Sequence, residues 1–171
     1  MKNRKFMLIL IALLMPMMAM GQSKLGVVNA NRVVQECKKG KAFFAELEEY
    51  KKGLDGKIQA LIKEAQDKQK DAQAKAASMS EDKKRDVVRE LEKMDLEIKR
   101  QGEDAQRTTQ TKLNEGLENF QRALGPLIRQ IALEQGLHLV FNDGPSSGIV
   151  FRDQSIDITD AVIKKYDEMN P

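Results

Sequence analysis

KAFFAELEEYKKGLDGKIQALIKEAQDKQKDAQAKAA (41–77), the break SMS (78–80) and EDKKRDVVRELEKMDLEIKR (81–100) decide the fold. In the first segment the apolar residues fall in two columns with a seven-residue repeat. Phe44, Ile58, Ala65 and Ala72 make one column, with Lys51 as the exception. Leu47, Leu54 and Leu61 make the other, continued by Lys68 and Lys75. Two narrow columns at this spacing predict a helix from Lys41 to Ala77 with a coiled-coil seam. Leucine dominates its start; alanine and lysine take over beyond Ile62. Glu48/Lys52, Glu64/Lys68 and Asp71/Lys75 stand four apart in the favourable order, each adding about 0.3 kcal/mol. Gly53 and Gly56 cost roughly 1 kcal/mol each against alanine inside a helix.

Ser80 predicts an N-cap, and Glu81 and Asp82 suit the positive end of a second helix. The tip of a helical hairpin is therefore expected at 78–80, with the second helix running on to Glu134. Val87, Leu91, Met94, Ile98 and Ala105 continue an apolar stripe. After a polar middle it resumes at Leu113, Leu117, Phe120, Leu124, Leu127 and Ile131, in a shifted register that implies a stutter. Gly125-Pro126 predicts a kink. At the usual helical rise the two helices are on the order of 55 and 80 Å long. The surplus of the second, from Leu113 to Ile131, is apolar and should belong to a body.

That body must come from the two ends. Lys24 to Ala30 reads as a strand. Asn29 and Asn31 are candidate caps for a brief helix through Arg32 to Cys37, and Gly40 punctuates the chain before the long stretch. Leu137 to Phe141 and Ile149 to Arg152 read as two more strands around a loop at 142–148. Asp157-Ile158-Thr159 caps a last helix carrying Ala161, Val162, Ile163 and Tyr166. The fold class is α+β, mostly α: a long antiparallel helical hairpin, 41–117, inserted into a small β body, 22–40 and 118–171. Three short strands make a marginal core, which small domains commonly complete by association. Subunits are expected to share the body sheet through Val27, Val28, Leu139, Val140, Phe141, Ile149, Val150 and Phe151, with Leu124 and Ile128 beside them.

Residues 1–21 read as a secretory signal peptide. Lys2, Arg4 and Lys5 precede an apolar run, and Ala19-Met20-Gly21 supplies small residues before a cut expected at Gln22. Its loss removes three of 29 basic residues and none of 26 acidic ones, leaving a formally neutral chain. A neutral balance argues against nucleic acid as a partner. Cys37 is the single cysteine, so no internal disulfide forms; a small buried apolar residue is the expected role.

The ends also carry a resemblance. Lys24-Leu25-Gly26-Val27-Val28-Asn29, Leu137-His138-Leu139-Val140-Phe141-Asn142, and Asp157-Ile158-Thr159-Asp160 with Val162-Ile163 resemble the Skp/OmpH family of periplasmic chaperones. The resemblance implies a homotrimer, completed at a shared β body, whose three helical arms enclose a cavity. It implies an ATP-independent holdase that keeps unfolded outer-membrane β-barrel proteins there and delivers them for assembly. The neutral mature charge departs from the strongly basic members.

No enzyme, cofactor or metal site is expected. Gly144-Pro145-Ser146-Ser147-Gly148 has the letters of a nucleophile elbow, but the single His138 comes before it and no helix follows. Gly53-Leu54-Asp55-Gly56-Lys57 lies within a helix and lacks the spacing of a phosphate loop. For client contact the residues that stand out on the arms are Ile62, Met79, Val88 and Leu96, with Lys68, Lys75, Lys83, Lys84 and Arg85 to draw in acidic segments. Transient contact with a membrane lipid surface is a further expectation. Two other readings stand beside the holdase: an exported coiled-coil spacer without clients, and a membrane-tethered assembly factor if the N-terminus is retained.

Overall fold

A computed structural model describes residues 23–144 and 147–171. The expected signal peptide and its cut before Gln22 lie outside these residues, as do Pro145 and Ser146. Chain order is β1 (Leu25–Val28), α1 (Ala30–Glu36), α2 (Lys38–Lys75), a 3-10 turn (Ala76–Ser78), α3 (Glu81–Glu134), β2 (Leu139–Asn142), a second 3-10 turn (Gln154–Ile156) and α4 (Thr159–Met169).

The caps explain where the helices begin. Asn29 accepts from the Arg32 N–H and starts α1. Ser80 accepts from the Lys83 N–H and starts α3. The long α2 begins before Lys41, because Cys37 Sγ accepts from the Gly40 N–H at 3.2 Å and caps it. Gly40 thus sits inside the first turn, not ahead of it. A Cβ there would stand 1.6 Å from the Val34 carbonyl oxygen, so the corner between α1 and α2 closes only on glycine. Helix α3 runs through Gly125-Pro126 without ending. Proline deprives the Arg122 carbonyl of its donor, but Arg122, Gly125 and Pro126 are all exposed, on the solvent side.

Helices α2 and α3 pack against each other as an antiparallel arm. Half-buried positions on α2 follow the expected columns from Phe44 to Ala72, with Tyr50 in place of the exposed Lys51 and with Lys75 outside the seam. On α3 they recur about every 3.5 residues from Lys84 to Ile98 and about every 3.7 residues from Ile98 to Ile131. The change of period is the physical form of the stutter. It matches a coiled coil near the tip and a straighter helix near the body.

The body is built on a two-stranded parallel sheet, Leu25 facing Leu139 and Val28 facing Asn142. The whole hairpin is the crossover between these strands. On the other edge of β1, Ile158 donates its N–H to the Val27 carbonyl at 2.8 Å. The third strand expected at Ile149–Arg152 does not form. Arg152 instead pairs with Asp143 at 2.6 Å and Asp157 at 2.8 Å, closing the segment into a clamped loop. The core gathers Val28, Val33, Val34, Cys37, Phe120, Leu124, Leu127, Ile131, Ile158, Val162 and Tyr166. It covers only the body: no residue from Lys41 to Glu115 is buried.

Candidate functional site

The arm offers open surface with shallow hollows, not an enclosed pocket. Cross-arm ion pairs join Lys68 to Glu90, and Lys112 to Glu46 at 2.8 Å. Lys112 also stands over the Tyr50 ring, 5.3 Å from its centroid. These contacts hold the two helices in register along one flank. Twelve residues back from Lys68 is Gly56, and twelve forward from Glu90 is Gly102, so the two glycines lie level. A Cβ at either, or at Gly53, would meet nothing within 4 Å. The arm has therefore a section with poor helix formers on both strands and little packing.

The residues singled out for client contact scatter over this surface. Val88 and Leu96 are exposed, at 54% and 68%. Ile62 and Met79 are half-buried. Lys68 is engaged with Glu90 across the arm, and Lys75 with Asp71 at 2.6 Å. Lys84 and Arg85 pair along their own helix with Glu81 and Asp82. Lys83 is exposed. The charges at the tip are thus largely neutralised locally. Farther up the arm, the guanidinium of Arg100 and the amide of Gln101 hold the Glu97 carboxyl down at about 2.

The second surface is the outer side of the body sheet. Leu25 and Leu139 face each other in register, as do Val27 and Phe141. Leu25, Leu139 and Phe141 are 42%, 50% and 45% exposed. Val150 and Phe151, on the loop that Arg152 clamps, are 100% and 85% exposed. Large apolar side chains are thus left uncovered on the sheet and on this loop. Three residues expected at a subunit interface lie elsewhere: Val27, Val28 and Leu124 are each 3% exposed, inside the chain's own body. Val140, Ile128 and Ile149 are half-buried, the first two packed against that core.

A protein-family model described as outer membrane protein (OmpH-like) matches residues 24–166. The chain belongs to the OmpH-like family. A solved structure of an OmpH-like protein from Caulobacter crescentus CB15 shares the fold, with a TM-score of 0.73 at 18% identity over 86% of each chain. No curated protein matches the chain. The family match spans both body segments and the arm between them, so the OmpH-like fold is the hairpin and the sheet together.

Phe43 and Gly116, which shape this OmpH-like body, escaped sequence reasoning; Phe120, Asp157, Thr159 and Tyr166 were named there, but not these contacts. Phe43 lies on Gly116, where a Cβ would meet its ring at 2.1 Å, and against Phe120 with ring centroids 5.9 Å apart. Tyr166 continues the aromatic row, 6.0 Å from Phe120. Together with Lys39 and Lys112 they line a hollow of about 460 Å³ where arm meets body. Thr159 is wholly buried and its Oγ1 accepts from the Asn29 N–H at 2.9 Å. Asp157 accepts from the Thr159 N–H. Burial pushes the Asp157 carboxyl up, but the bonds from Thr159 and Arg152 outweigh it and leave it below the usual range.

The chemistry-bearing residues have structural partners. His138 Nδ1 accepts from the Lys24 N–H at 3.1 Å, at the start of β1. Cys37 is fully buried; burial pushes its thiol up, which keeps it protonated. Among the described residues there is no group of three or more metal-ligating side chains. No described helix is long and apolar enough to cross a membrane.

Proposed function

We propose that this OmpH-like protein is an ATP-independent holdase of the periplasm that takes up unfolded outer-membrane β-barrel proteins between its arms and delivers them for assembly. The Caulobacter relative is described as a candidate outer membrane chaperone, which supports the same role here. The observation that carries the reading is the bare arm: beyond Phe43 and Phe44 at its base, residues 45–115 stand clear of the body's core, yet form two long packed helices. Such a helix pair leaves both flanks free to meet a client. Many weak contacts along it add through effective concentration.

The body, 22–40 and 118–171, assembles three copies through the open sheet face of Leu25, Leu139 and Phe141 with Val150 and Phe151. Three arms, 41–117, then point the same way around a cavity. The section at Gly53, Gly56 and Gly102 lets them adjust to clients of different size. Export removes residues 1–21 before Gln22, and the assembly makes transient contact with a membrane lipid surface. Release needs no nucleotide because a client folding into the membrane withdraws its own apolar surface.

Light scattering tests this directly. The mature protein should suppress aggregation of a β-barrel protein diluted from urea, at near-stoichiometric ratio. Unchanged scattering would favour a coiled-coil spacer.

A further inference from the structure

The two flanks of the arm differ in charge. The flank that carries both cross-arm ion pairs also bears Glu64, Lys93 and Glu97 around a hollow that includes Glu90. The opposite flank opens a hollow of about 330 Å³ lined in part by Leu54, Ile58, Gly102, Gln106, Thr109 and Gln110. At about 100° per residue, the same flank continues on α2 as Ile62, Gln66, Gln69 and Gln73. On α3 it takes in Val88 and Leu117, which are 54% and 40% exposed. Glu48, Lys51, Asp55, Glu92, Asp95 and Lys99 interrupt it, but no cross-arm ion pair forms on it among the described residues.

We infer that this glutamine-rich, charge-poor flank is the client-contacting face of the arm, and that it takes extended, uncharged segments of an unfolded chain. The inference rests on the holdase reading. An unfolded segment carries an unpaired N–H and C=O at nearly every residue. A glutamine amide answers both, with donors and acceptors on one side chain. Apolar Ile62, Val88 and Leu117 meet the segment's apolar side chains between the amides. Covering charges would cost their hydration, which disfavours the ion-paired flank. Gly102 leaves the α3 backbone bare at the hollow. A strand of a β-barrel protein, alternating polar with apolar, has the matching chemistry wherever its polar positions are uncharged.

The test is photo-crosslinking in the assembled full chain. A photoreactive residue is placed at Gln69 or Gln106 on the charge-poor flank, and at Glu64 or Lys93 on the other. A β-barrel protein is then diluted in from urea. Client adducts should form several times more at Gln69 and Gln106. Equal or greater yield at Glu64 and Lys93, adducts to a second copy in place of client, or none at all four positions overturns the assignment. Scattering by the unsubstituted chain is measured beside it: if aggregation is still suppressed, the flank is wrong and the holdase stands. If it is not, both fall. As a second arm, Q66E/Q69E/Q73E should weaken client binding about tenfold, because three charges must be desolvated. K57Q/K63Q/K93Q changes net charge equally and should leave binding within about twofold. Equal loss in both sets would reduce the effect to net charge and overturn the proposal.

Discussion

Gly40 and Gly56 are the same residue type under opposite constraints. At Gly40 a methyl would collide with the Val34 carbonyl, a backbone atom that cannot swing away. Gly40→Ala should therefore lower stability by about 2 kcal/mol or more, seen as a lower thermal midpoint in circular dichroism. Gly56→Ala meets open space and gains helix propensity, so it should raise stability by up to about 1 kcal/mol. Sequence alone read both as punctuation or cost. What separates them is a carbonyl six residues away in the chain, which only the α1–α2 corner brings close. The caps Asn29 and Ser80 were legible because capping is settled within three residues. Tyr50 was not, since its place in the seam depends on Lys112 from the other helix.

Asp157 makes a prediction about pH at the same scale. Its carboxyl is held below the usual range in the folded chain, by Thr159 and Arg152 against burial. A lowered folded pKa gives stability that is present above the unfolded value, about 3.9, and lost as pH falls through the folded one. Asp157→Asn should cost about 1–2 kcal/mol at pH 7. The gap to the parent protein should close as pH falls below the ordinary aspartate range and Asp157 is protonated in the folded chain. A gap that persists unchanged in acid would mean that packing, not charge, carries the site.

At the scale of elements, the arm was legible and the body only partly. Heptad columns of leucine and alanine recur often enough to outweigh any one exception, so α2 and α3 could be read with their tip at 78–80. The strand expected at Ile149–Arg152 failed for a reason that no local pattern contains. Arg152 turns back to two acids, Asp143 and Asp157, and the apolar pair before it is left exposed. A further prediction concerns the soft section of the arm. Replacing Gly53, Gly56 and Gly102 together by alanine should slow amide exchange in 50–60 and 98–106, by roughly fivefold for each 1 kcal/mol gained. The stiffened arm should hold a narrower range of client sizes. Unchanged exchange would place the arm's compliance elsewhere.

For the whole molecule, the body's exposed face sets the expectation. Phe151 is 85% exposed, so Phe151→Asp leaves the chain's own core intact. It should dissociate the assembly to single chains, measured by light scattering coupled to size exclusion, with helix content retained. The two ends of the sequence carried the family resemblance, and the family match over 24–166 agrees with it. Which residues face a neighbour was not legible, because a short buried strand looks alike whether its own chain or another covers it. Val27, Val28 and Leu124 were assigned outward for that reason and lie inward.

Native mass spectrometry of the mature protein mixed with an unfolded β-barrel client tests the central claim most directly. A complex of three chains with one client is the predicted species. A lone chain that carries no client would contradict it.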